Sequence, residues 1–153
     1  MNVSYEQIVS AFLNKINEYE LLELADDERD DSVFSFLTKS LYKFNRVCNY
    51  KLEAVRLDDG SFELIGKDMP EEEMDEALDI LTNGMVVQWL KPFLNRQENL
   101  ENALSTRDFT VFSPANLLLR VRETYNNAKR DFENELREYS FSHNDLNKLH
   151  LPR

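Results

Sequence analysis

The feature that most constrains this chain is the regular spacing of apolar side chains over residues 112–139. Ser113 is a good N-cap, and Pro114 suits the first helical position, where its missing N–H costs nothing. The pattern predicts a helix roughly 40 Å long, and its apolar stripe must be buried on the rest of the chain or partly on neighbouring subunits. The stripe recurs at steps of three and four, as on one helix face: Leu118, Val121, Tyr125, Ala128, Phe132, Leu136 and Tyr139.

Two further helices are predicted in the first third of the chain. Ser4 and Gln7 have the form of a capping box, and apolar residues then recur at helical spacing over residues 5–19. The acidic run at residues 26–31 is placed where the N-terminus of a helix favours negative charge. Helical spacing of apolar residues resumes from Val33, which predicts the body of a second helix there.

A central helix is predicted to begin near Pro70, which is followed by acidic residues that suit a first helical turn. Its later half is apolar nearly all round up to Trp89, as in a helix buried at the centre of a fold. Gly84 is unfavourable inside a helix, which suggests a close crossing with another helix at that point. Pro92 is expected to stop or kink the helix, and a shorter helix should follow over residues 93–104.

Residues 49–67 break the helical periodicity and predict a β-hairpin. The sequence DDGS at residues 58–61 is a turn signal between two short apolar runs. Because an isolated hairpin is only marginally stable, it must pack on the helices or pair with strands of another subunit. The predicted fold is therefore mostly α: a bundle of about five helices with a long C-terminal helix and one small β-hairpin. Residues 1–139 form one helical domain with the hairpin inserted at about 49–67, followed by a C-terminal tail over residues 140–153.

Composition argues against several classes of protein. The formal net charge of −11 disfavours a general nucleic-acid binder, and no basic cluster interleaved with aromatic residues is found in the sequence. The acidity could instead keep the protein soluble or line a passage through which DNA slides. Cys48 is the only cysteine, so no intrachain disulfide can form. No signal-peptide pattern and no run of eighteen apolar residues is present, so we expect a cytoplasmic protein that does not enter a membrane.

The sequence offers little for catalysis or for cofactor and metal binding. His143 and His150 lie near the end with Asp145 between them, but a metal site needs three or four converging ligands. The acids at residues 68–79 are best interpreted as a solvated helix face. A phosphate-binding glycine loop, a cysteine pair and a nucleophile elbow are all missing. We therefore predict that the protein is not an enzyme and has no catalytic, cofactor-binding or metal-binding residues.

Several stretches of the second half resemble one protein family of tailed bacteriophages and prophages of Gram-positive bacteria. They are GMVVQWLKP at residues 84–92, NALSTRDF at 102–109, FSPANLL at 112–118, RETY at 122–125 and YSFSHNDL at 139–146. The N-terminal helices match the family more loosely, and residues 49–67 carry none of the resemblance. Members of this family resemble the neck proteins of phages, which are also called head-to-tail connector proteins.

This resemblance implies a structural virion protein of the neck, assembled in the host cytoplasm. Such an adaptor forms a homo-oligomeric ring, often of twelve copies, below the portal protein and docks the next neck or tail component. DNA is then only a passing cargo, and no cofactor is involved. The hairpin and the tail are the expected contact elements, with these candidate interaction residues: Val55, Leu57, Phe62, Leu64, Phe141, His143, Leu146, Leu149 and Leu151. The alternative is a monomeric acidic regulatory or inhibitory protein that binds a basic partner with salt-dependent affinity.

Overall fold

The computed structural model describes residues 2–16, 26–105 and 114–143. It confirms a mostly α fold with a long C-terminal helix and a small antiparallel sheet. The described residues form four helices rather than about five. In chain order the elements are β1 (Asn2–Val3), α1 (Tyr5–Ile16), α2 (Asp26–Phe44), β2 (Leu52–Arg56), β3 (Phe62–Gly66), α3 (Glu71–Ser105) and α4 (Pro114–His143).

The starts of α1 and α2 illustrate how local sequence sets helix boundaries. The predicted capping box is confirmed: the backbone N–H of Ser4 donates to Gln7 Oε1 over 3.0 Å, and the Gln7 N–H donates to Ser4 Oγ over 3.4 Å. Helix α2 runs from Asp26 to Phe44, so it includes both the acidic run predicted at a helix N-terminus and the helical body predicted from Val33. The acidic run thus forms the first turns of the helix, where its charge opposes the positive end of the helix dipole.

Helix α3 runs through Pro92, which corrects the prediction of two separate helices. Proline cannot donate to the carbonyl of Gln88, which costs one helical hydrogen bond. However, Pro92 is exposed, so water can bond that carbonyl. The preceding stretch from Met85 to Leu90 is almost entirely buried, as predicted for the central helix, and this packing offsets the loss.

Helix α4 confirms the long helix predicted from the apolar stripe. Val121, Phe132 and Tyr139 are buried, and the stripe positions between them are partly buried, whereas the side chain of Leu118 is not among those described. The helix continues to His143, so residues 140–143 are helical instead of beginning a tail. Residues 144–153 lie outside the described part of the chain.

The predicted hairpin is confirmed, but it belongs to a three-stranded antiparallel sheet in the order β1-β3-β2. Val3 pairs with Leu64, which joins the start of the chain to the hairpin. The turn is closed by the Leu57 N–H, which donates to the Ser61 carbonyl over 2.8 Å. Gly60 takes the positive φ of 87° that this turn requires.

The core lies where α2 and α4 both pack on α3 and meet each other through Phe44 and Tyr139, with α1 and the sheet completing it. Helices α3 and α4 are antiparallel neighbours. At their crossing Gly84 allows the closest approach: a Cβ there would lie 2.7 Å from the Phe132 ring and would overlap Ser40 Oγ. The close crossing predicted from Gly84 is therefore confirmed, and it involves both neighbouring helices at once.

Candidate functional site

The exposed edge of the sheet is the first candidate surface. Strand β2 lies at the edge and, within the described sheet, pairs only with β3. Val55 and Leu57 keep 38% and 40% of their surface exposed. Edge strands with apolar side chains are common sites for added strands. The outer face of the sheet also carries a concavity of about 420 Å³ lined by Lys51, Glu53, Ile65, Lys67 and Asp68.

Phe62 and Leu64, predicted as contact residues of the same hairpin, are fully buried in the protein's own core. Alternate residues of a strand point to opposite faces, and β3 turns this pair inward. The Phe62 ring lies 5.0 Å from the Tyr5 ring and 5.4 Å from the Phe34 ring, measured between centroids. Their assignment to an interaction surface was therefore wrong, because both faces of the hairpin had been treated alike.

Two of the contact residues predicted near the C-terminal end of α4, Phe141 and His143, are described, and they lie in different environments. Phe141 is 77% exposed. His143 instead faces α3, where its Nε2 lies 2.9 Å from Glu76 Oε2 and its Nδ1 lies 3.7 Å from Glu73 Oε1. Asn49 Nδ2 donates to the His143 carbonyl over 3.0 Å. His143 thus fastens the end of α4 to the domain. The remaining predicted contact residues, Leu146, Leu149 and Leu151, lie outside the described residues.

Tyr139 continues this polar cluster into the core. Its ring packs 4.3 Å from that of His143 and 4.9 Å from that of Phe44. Its hydroxyl lies 3.6 Å from Cys48 Sγ. Burial, and then the hydrogen bond with Cys48, raise the pKa of Tyr139 far above its usual value. The phenol therefore stays protonated at neutral pH, and its contacts are those of a packing residue.

A second polar cluster joins helices α1, α3 and α4. Lys15 Nζ lies 2.6 Å from Asp79 Oδ1 and 2.5 Å from Asn83 Oδ1. Asn83 Nδ2 lies 2.8 Å from both carboxylate oxygens of Glu135. Burial raises the pKa of the Glu135 carboxyl, and the hydrogen bond from Asn83 opposes this shift. Three helices are thereby held in one relative position.

A basic groove between α2 and α3 is the third surface, and it was not predicted. Its volume is about 370 Å³, and its lining residues are Thr38, Lys39, Tyr42, Lys43, Gln88 and Lys91. Arg46, in the turn after α2, extends it, with its guanidinium carbon 4.7 Å from the centre of the Tyr42 ring. Tyr42 itself is 65% exposed. We use the name basic groove for these seven residues.

The basic groove escaped sequence reasoning because its cations come from two distant parts of the chain. Lys39, Lys43 and Arg46 lie within one short stretch, residues 39–46. Lys91 is far away in sequence, and only the packing of α2 on α3 brings it beside them. The spacing of Lys39 and Lys43, with Tyr42 between them, was the one signal that could have indicated a cationic face.

Within residues 2–16, 26–105 and 114–143, no three His, Cys, Asp or Glu side chains are grouped so that they could hold a metal ion. In the same segments, no helix has the length and apolarity needed to span a bilayer.

The chain has no significant match among protein-family models, curated proteins or solved structures. The basis for assigning a role is therefore the sheet edge, the C-terminal end of α4 and the basic groove, together with the motifs that lie on α3 and α4.

Proposed function

We propose that the protein is a structural connector of a bacteriophage neck, which assembles as a ring below the portal and docks the next neck or tail component. DNA passes through this ring without being a specific ligand. The motifs that resemble the connector family support the proposal, because most of them fall on the antiparallel pair α3 and α4.

The observation that carries the proposal is the pair of apolar side chains on the outer face of α4. Leu119 is 53% exposed and Phe141 is 77% exposed. They are separated by roughly 33 Å along the helix axis and by roughly 40° around it, on the side opposite the buried stripe. A neighbouring subunit that lies along α4 would bury both side chains in one interface.

The rigidity of the body also supports an assembly role. Along the shared length of α3 and α4, three contacts fix their register: Glu76 with His143, Asn83 with Glu135, and Gly84 with Phe132. A subunit held in this way presents Val55 and Leu57 at the sheet edge and Phe141 on α4 in fixed positions. Fixed positions reduce the entropy lost on association.

The direct test is mass photometry of the purified protein followed by electron cryo-microscopy, alone and mixed with the portal protein. We expect a closed ring, or a ring that forms on the portal. Leu119→Asp combined with Phe141→Asp should abolish the ring while leaving the melting temperature nearly unchanged, because both side chains are exposed. Glu123→Asp with Glu133→Asp, on the same face and without an apolar loss, is the matched control.

Two results would contradict the proposal. One is intact, infectious particles from which the protein is missing. The other is a stable monomer that ignores the portal but captures a basic protein with strongly salt-dependent affinity. That second result would favour the acidic regulatory role instead.

A further inference from the structure

The basic groove carries positive charge that the chain's own carboxylates do not neutralise. Lys39, Lys43, Lys91 and Arg46 form no ion pair with any carboxylate in the described segments. Arg46 instead donates to the Tyr42 hydroxyl over 3.0 Å. Four cations around one exposed aromatic ring, in a protein of net charge −11, form a local anion-binding surface.

The same chain presents a matching surface at the start of α3. Glu71, Glu72 and Asp75 are exposed there and form no ion pair within the described segments. Asp75 and Lys91 are roughly 24 Å apart along the axis of α3. This distance is far beyond an ion pair, so the two surfaces cannot satisfy each other within one molecule.

We infer that the basic groove of one copy receives the acidic start of α3 of a second copy. The contact is head-to-tail, because it joins two different surfaces and leaves one of each open at the ends of a chain of subunits. Contacts of this type close into rings when the rotation between subunits permits. The inference rests on the proposed ring and names the residues of one interface within it.

The observations favour a second copy over duplex DNA as the occupant. Duplex DNA carries its charges in a continuous track, about one per 1.7 Å of helix axis, whereas this groove offers four clustered cations. At physiological salt, charges are screened beyond about 8 Å, so facing groups decide the contact. Tyr42 lines the groove together with the lysines and is 65% exposed, and tyrosine is enriched among the residues that contribute most to binding at protein interfaces.

The test exchanges the charges of the two surfaces. Lys39→Glu with Lys43→Glu replaces two of the four cations of the groove by carboxylates, and Glu72→Lys with Asp75→Lys replaces two of the three exposed acids at the start of α3 by ammonium groups. We expect each double variant alone to lose assembly by tenfold or more, because like charges then face each other at every contact. An equimolar mixture should assemble again, because every contact between unlike variants pairs opposite charges. Mass photometry measures both results.

Arg120→Glu with Lys129→Glu is the control, since it makes the same change of net charge on the flanks of α4. Circular dichroism checks that each variant is folded.

If the wild type forms rings and the groove variant forms them equally well, the inference is overturned while the proposed function stands. If the wild type forms no ring even with the portal, the proposed function is wrong, and the inference that rests on it falls with it. If the groove variant assembles normally but no longer binds a fluorescent DNA duplex that the wild type binds, the groove is a nucleic-acid site and the inference is wrong.

Discussion

At the scale of single residues, Gly84 determines how closely three helices approach. The Phe132 ring and Ser40 both lie at the position that a Cβ on Gly84 would occupy, and Ser40 Oγ donates to the Leu81 carbonyl over 2.8 Å. Any side chain at this position would have to displace one of these neighbours. The usual preference of helices for alanine over glycine is therefore reversed here.

Gly84→Ala should lower the free energy of unfolding by about 1–3 kcal/mol, the usual cost of overpacking a core. This loss exceeds the gain of about 1 kcal/mol that alanine brings to an exposed helical site. Urea denaturation measures the difference. Adding Phe132→Leu should recover part of the loss, because the clashing ring is removed. A stabilised Gly84→Ala variant would show that the crossing is looser than described.

At the scale of the elements, helix α4 is held to the domain by one stripe of side chains. Phe132 is 1% exposed and packs at the crossing with α3, whereas Phe141 lies on the outer face of the same helix. The two phenylalanines therefore allow one substitution to be compared in two environments.

Phe132→Ala should cost about 3–5 kcal/mol in the free energy of unfolding, because it removes a buried ring and leaves a cavity. Phe141→Ala should change the same quantity by less than about 0.5 kcal/mol. Both can be measured by urea denaturation of the monomeric protein. Equal effects would mean that the orientation of α4 about its axis is wrong.

Periodicity and capping were enough to predict most of these elements. The steps of three and four before Tyr139 gave the buried face of α4, and Ser4 with Gln7 gave the start of α1. Strand β1 could not be predicted, because two residues are too short to show alternation and their pairing partner lies in β3. The passage of α3 through Pro92 depends on packing around Trp89 that local sequence does not reveal.

The candidate surfaces were predicted less completely, and the reason is geometric. Val55, Leu57 and Phe141 were predicted as contact residues of the hairpin and the tail, and they are exposed. Distinguishing them from Phe62 and Leu64 requires knowing which face of the hairpin packs inward. Predicting the basic groove requires knowing how α2 packs on α3, because only that packing brings Lys91 beside Lys39 and Lys43.

At the scale of the whole molecule, the cluster of Lys15, Asp79, Asn83 and Glu135 ties three helices together. The raised pKa of Glu135 means that the folded protein binds a proton at this carboxyl more tightly than the unfolded chain does. Its ionisation therefore reduces stability. This penalty is present above the raised pKa and disappears as the pH falls below the unfolded value.

Glu135→Gln should consequently raise the free energy of unfolding near pH 7, because glutamine can still accept from Asn83 Nδ2 without a buried charge. The advantage over the wild type should shrink as the pH is lowered to about 4, near the ordinary glutamate pKa. Urea denaturation at several pH values follows the difference. Glu123→Gln, at an exposed acid on the same helix, is the control and should show little change. A loss of stability that is constant with pH would indicate that the carboxylate is needed in its charged form.

The pairing of Val3 with Leu64 has a consequence for how the chain acquires its shape. Closing this contact brings together backbone segments about sixty residues apart. The chain loses conformational entropy when this loop closes, and the stabilising contacts between the strands form only afterwards. During synthesis the outer strand leaves the ribosome well before its partner exists. The sheet is therefore completed only after α1, α2 and the hairpin have been made, and any bulky fusion placed directly before Asn2 would obstruct this last docking step.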